Sequence, residues 1–111
     1  MPVMQNSLLH VFTEPLAIVA ASGAVIESNT EARELLHRDS LHEFNSLRDI
    51  VDDENALATF LEQSLNTDRF IPGELPIRMP DGAVINVPVE GSRLGNGQEG
   101  LVVRFGAASR C

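Results

Sequence analysis

The sequence predicts one α+β domain: a five-stranded antiparallel sheet with short helices packed on one face. Three observations carry this reading. Two short apolar runs, residues 16–21 and 24–26, flank Ser22-Gly23. Three stretches after residue 70 alternate apolar with polar residues and are separated by Pro80-Asp81-Gly82 and Gly95-Asn96-Gly97. Between these groups apolar residues recur every three or four positions, the helical period. A length of 111 residues suits a single core and a single domain. At 43% hydrophobic and 22% charged residues, the composition is that of a soluble globular protein.

Residues 4–12 place Leu8, Leu9, Val11 and Phe12 around Ser7 and His10, the pattern of a short amphipathic helix. It stops before Glu14-Pro15, because the residue preceding proline is pushed out of the α region. Ser22-Gly23 is a hinge between two antiparallel strands, since glycine takes the positive φ of a tight turn without steric cost. After Ile26 the period changes. Ala32, Leu35 and Leu36 share one helical face, Asn29 and Thr30 suit an N-cap, and Ser28 with Glu31 fits a capping box.

The pattern weakens at residues 38–40. Leu41, Phe44, Leu47, Ile50 and Val51 then predict short helical turns burying one face. Asp52-Asp53-Glu54 puts negative charge at the start of a longer helix, whose stripe is Ala56, Leu57, Phe60, Leu61 and Leu65. Asn66-Thr67-Asp68 ends it. Leu75, Ile77 and Met79 begin the alternating part, in a strand that Pro72 and Pro76 assign to a sheet edge. Asp81-Gly82 turns the chain into Ile85, Val87 and Val89, and the second glycine turn leads to Leu101, Val103 and Phe105.

In this order the residues resemble a PAS domain. Gly23, Ile26, Asn29, Ala32 and Leu35-Leu36 fall on the family's opening pattern, with Gly23 and Asn29 in structural roles. Asp52-Asp53 falls on its acidic helix start, and Asp81 and Gly82 on the first hairpin of its three closing strands. The resemblance covers roughly residues 8–105. The aspartate-led segment that commonly ends the last PAS strand is missing, and Gly-Ala-Ala-Ser-Arg-Cys follows instead. The expected organisation is a flanking helix over residues 1–14, a PAS-like domain over 15–106, and a tail or linker to an output domain over 107–111.

The charge of −8 argues against nucleic acid or an anionic membrane surface as a direct partner. No apolar run approaches the roughly 20 residues that span a bilayer. The N-terminus lacks the cationic and apolar regions of a secretion signal, and the single Cys111 cannot form an internal disulfide, so the cytoplasm is expected. His10, His37, His42 and Cys111 have no zinc-type spacing. By the resemblance, haem is not expected, because the helix over residues 53–65 has no His and His42 is the nearest substitute. A flavin adduct is not expected either, because residues 44–50 have no Cys. No serine lies in a GxSxG context, Asp39 near His42 has no third partner, and the glycines of residues 91–100 lie between two strands. No catalytic residue or metal site is expected.

The resemblance therefore implies a sensory or regulatory module of a bacterial signalling protein: a histidine kinase, a cyclic-di-nucleotide enzyme or a transcription regulator. A small apolar ligand or a partner would shift helix or dimer packing. Candidates for the pocket lining are Ile18, Leu36, Phe44, Leu47, Phe60, Leu75, Ile77, Val87 and Val103. A homodimer is expected on Leu8, Leu9, Val11 and Phe12 with the outer face of the sheet, where Val84, Val102 and Val19 would point outward if Ile85, Val103 and Ile18 point in. The alternative is a constitutive homodimerisation module without ligand, and an enzyme of a similarly shaped α+β fold is the distant third.

Overall fold

The computed structural model describes residues 13–38, 44–95 and 99–106, and the sheet is assembled from two local units. The first is the hairpin of β1 (Leu16–Val19) and β2 (Val25–Ser28). Its turn closes with Ala20 N donating to Ala24 O at 2.8 Å and Gly23 N to Ala20 O at 2.9 Å, with Gly23 at a φ of 98°. The second is a meander of β3 (Ile71–Arg78), β4 (Val84–Arg93) and β5 (Leu101–Phe105). Asp81 Oδ1 accepts from Ala83 N at 2.9 Å in the β3–β4 turn, and Gly82 takes a φ of 95°. Antiparallel pairing of β1 with β5 joins the units into one sheet, in the order β2-β1-β5-β4-β3.

The prolines fit this order. β3 is an edge strand, as Pro72 and Pro76 require. Part of its outer edge is covered by residues 50–52: Arg78 N donates to Ile50 O at 2.7 Å and Asp52 N to Pro76 O at 2.8 Å. Pro88 lies inside the sheet, in β4, yet breaks no bond to β3. Its carbonyl accepts from Gly106 N at 2.7 Å, so its backbone faces β5 at the point where β5 ends.

Two helices cover one face. The short α1 (Thr30–Leu35) is capped by Asn29, whose side chain accepts from Ala32 N. The expected Ser28–Glu31 capping box does not form, because Asn29 takes the cap and the Ser28 hydroxyl accepts from Arg33 Nη1 at 3.0 Å. A turn of 3-10 helix, Leu47–Asp49, precedes α2 (Glu54–Leu65), which Asp53 caps by accepting from Asn55 N and Ala56 N. The stripe of α2 is buried at Leu57, Phe60, Leu61 and Ser64. It lies so close to β4 that a Cβ on Gly91 would come within 2.3 Å of Ser64 Oγ and 2.7 Å of Phe60 Cζ.

The core joins Ala17, Val19, Leu75, Ile77, Val87, Val89, Leu101, Val103 and Phe105 of the sheet to the buried residues of the helices and turns. The phase of β1 is opposite to expectation. Ala17 and Val19 are buried, whereas Ile18 is half-buried on the other face, opposite Val102. The register with β5 decides this: Ala17 and Val19 pair with Val103 and Leu101, both core residues. Val84 is exposed on the outer face as expected, and Val19 is not part of that face.

Candidate functional site

The space between sheet and helices is where the pocket lining was expected. Leu36, Phe44, Leu47, Phe60, Leu75, Ile77, Val87 and Val103 all belong to one buried cluster there, and Ile18 does not. Phe44 and Phe105 meet edge to face, with ring centroids 6.1 Å apart. Among the described residues, grooves also open on the surface. One, of about 390 Å³, is lined by Glu14, Pro15, Pro88, Glu90, Arg104 and Gly106, among others. The other, of about 370 Å³, runs between α2 and residues 72–74 of β3. Phe60 is the one pocket candidate that lines either groove. Leu8, Leu9, Val11 and Phe12 fall outside the described residues, as do His10, His42 and Cys111.

Asn29 does more than cap α1. Its Oδ1 accepts from both Leu16 N and Ala32 N at 3.0 Å, and its Nδ2 donates to Glu14 O at 2.7 Å. One buried amide thus ties the start of β1 to the start of α1. Arg38 is another buried polar side chain the sequence did not single out. Its Nη1 donates to Leu36 O at 3.1 Å and its Nη2 to Arg78 O at 2.7 Å, joining the end of α1 to the end of β3.

The chain comes into the sheet and leaves it at one place. Phe105 N donates to Pro15 O at 3.0 Å. One residue earlier, Arg104 Nε donates to Glu90 Oε1 at 2.7 Å, Nη2 also reaches Glu90, and Nη1 lies 3.4 Å from Glu14 Oε1. Its guanidinium carbon sits 4.6 Å from the centre of the Phe70 ring. The Glu90 hydrogen bond holds Arg104 above the ordinary arginine pKa, against the opposing effect of partial burial and with help from Glu14. Arg104 and Glu90 are cross-strand neighbours of opposite charge, a pair legible once the β4–β5 register is known. Among the described residues, no three His, Cys, Asp or Glu side chains come together as a metal site, and no helix is long and apolar enough to cross a membrane.

No family model matches the chain, and no curated protein matches it. Solved structures do. The PAS domain of an HTR-like protein from Haloarcula marismortui is 18% identical with a TM-score of 0.71, over 92% of this chain and 86% of that one. The PAS domain of nitrogen regulation protein NR(II) from Vibrio parahaemolyticus is 17% identical with a TM-score of 0.69, over 96% and 99%. A PAS domain from Colwellia psychrerythraea is 10% identical with a TM-score of 0.72, over 89% of each chain. The chain has the PAS fold. The β2-β1-β5-β4-β3 sheet with helices on one face is this PAS architecture, and the Arg104 junction joins the residues before β1 to the end of β5.

Proposed function

We propose that this chain is a sensory or regulatory PAS module and not an enzyme, acting in the cytoplasm as part of a larger signalling protein. A histidine kinase, a cyclic-di-nucleotide enzyme or a transcription regulator would carry the output. The observation that carries this reading is the junction: the segment leading into β1 is bonded to the last two residues of β5, through Pro15 to Phe105 and through Glu14 to Arg104. A change in how the end of β5 packs in the sheet then reaches the segment that leads into β1. Solved PAS domains of the same fold include one from a two-component sensor histidine kinase, which supports an output domain of that kind.

In this reading a small apolar ligand or a partner acts on the core cluster, and two copies associate through residues 8–12 and the outer sheet face. Ile18, Val84 and Val102 supply apolar surface there. A second reading, constitutive dimerisation without ligand, is favoured by the way the pocket candidates pack against one another as ordinary core side chains. The experiment combines two measurements. A thermal-shift screen of small apolar compounds should raise the melting temperature for at least one compound, because binding to the folded state alone stabilises it. Sedimentation of the intact chain should give a dimer that Leu8→Ser with Phe12→Ser dissociates. A dimer with no stabilising compound assigns the second reading, and a monomer with none removes both.

A further inference from the structure

Residues 50–52 begin to pair with the outer edge of β3, and the chain then leaves that lane as α2. The two bonds of this pairing, to Pro76 O and from Arg78 N, show that even-numbered β3 residues turn their backbone groups outward. Beyond Pro76 the lane continues past Glu74 and Pro72. Glu74 offers an N–H and a carbonyl there, Pro72 offers a carbonyl alone, and among the described residues no hydrogen bond reaches any of the three. The groove of about 370 Å³ occupies this lane, with Ala56, Thr59, Phe60 and Gln63 of α2 as one wall and Glu74 and Asp53 on its rim.

We infer that this lane is a docking site for a short extended peptide that adds a strand to β3, with a basic residue followed by an apolar one. The charge of the rim selects the partner: Glu74 and Asp53 are both acidic and exposed, and neither forms an ion pair among the described residues. In the antiparallel register that continues residues 50–52, the peptide residue opposite Glu74 exchanges both backbone bonds with it. That residue's side chain shares Glu74's face, where a lysine or arginine is favoured. The next residue lies opposite Gly73 and turns toward α2, where Gly73 has no side chain to block it and Ala56 and Phe60 receive an apolar group. The residue after that donates to Pro72 O. Because Pro72 has no N–H to offer, the added strand is short and its association reversible.

The probe is the blocked peptide Thr-Arg-Leu-Thr-Val, compared with the same peptide carrying Glu in place of Arg, added to the full chain and followed through backbone amides. The expected result is saturable change at Gly73, Glu74 and the wall of α2, with slowed exchange of the Glu74 amide. Glu74→Lys, at an exposed position, should weaken binding of the Arg peptide by roughly tenfold or more, since it sets like charges against each other. The Glu peptide should bind the parent chain more weakly and the Glu74→Lys chain more tightly. No saturable change at these amides would overturn the inference. So would equal binding of both peptides, a Glu74 amide already protected in the free chain, or protection that rises with protein concentration without peptide, which assigns the edge to a second copy.

Discussion

The two helices are fastened to the same sheet by different means. α1 is six residues long and fully buries only Ala32 within its span, with Leu35 packed partly buried against the core and Leu36 buried at its C-cap, so its apolar stripe is short. It is tied in addition by the buried amide of Asn29, which bonds to β1, to α1 and to the residues before β1. α2 is twelve residues long and presses Leu57, Phe60, Leu61 and Ser64 onto the sheet, while its cap, Asp53, is exposed and among the described residues its side chain bonds only within its own first turn. Both caps satisfy the same orphaned amides, and only one of them is a tertiary contact. A short helix needs a buried polar tie where a long one can rely on its stripe.

The largest expected effect breaks the tie. Asn29→Ala leaves the Leu16 and Ala32 amides without their acceptor in a buried setting, so it should cost roughly 2–4 kcal/mol, above the about 1 kcal/mol of an ordinary cap. Chemical denaturation measures it, and a loss no larger than a cap's would remove the tertiary role. Packing is tested next at α2. Gly91→Ala forces a methyl against Ser64 and Phe60 and should cost roughly 1–3 kcal/mol by overpacking. An unchanged denaturation midpoint would mean that α2 slides freely on β4.

Asp53→Ala should cost only about 1 kcal/mol, which in direct comparison with Asn29→Ala measures the difference between the two caps. Ser64 sharpens the contrast from the other side. Among the described residues its buried hydroxyl has no hydrogen-bond partner, so Ser64→Ala should be neutral or stabilising by up to about 1 kcal/mol. A clear loss would point to a bond that the hydroxyl makes in solution. The smallest effect belongs to the junction. Glu14 and Arg104 are partly exposed, so Glu14→Gln should change stability by less than about 1 kcal/mol and still less in high salt. The raised pKa of Arg104 adds no pH dependence in the working range. The stability of a cation held this way is complete below its unfolded pKa and lost only as pH rises through the folded one.

The regular parts of this fold were legible because each carries its own period. Leu75, Ile77, Val87, Val89, Leu101, Val103 and Phe105 alternate, and all are buried on one face. The α2 stripe and its Asp53 cap, the Gly23 and Asp81-Gly82 turns, and the edge position of β3 follow equally from local chemistry. The phase of β1 does not. A continuous apolar run has no alternation to read, and Ile18 and Val19 are interchangeable until β5 supplies a register.

What the sequence determined alone, then, is whatever neighbours in the chain decide: strand or helix, turn, cap and edge. Tertiary structure decided everything that needs a partner far along the chain. Asn29 was recognisable as a cap, but its bond to Leu16, thirteen residues away, was not. Arg38 and Arg104 look like ordinary surface charges until β3, β4 and the residues before β1 are placed beside them. The lane beside β3, unpaired among the described residues, exists only because residues 50–52 start along it and α2 turns away. A period records how one element meets the core, whereas a polar tie or an open edge depends on which elements become neighbours, and that choice is made by the packing of the whole sheet.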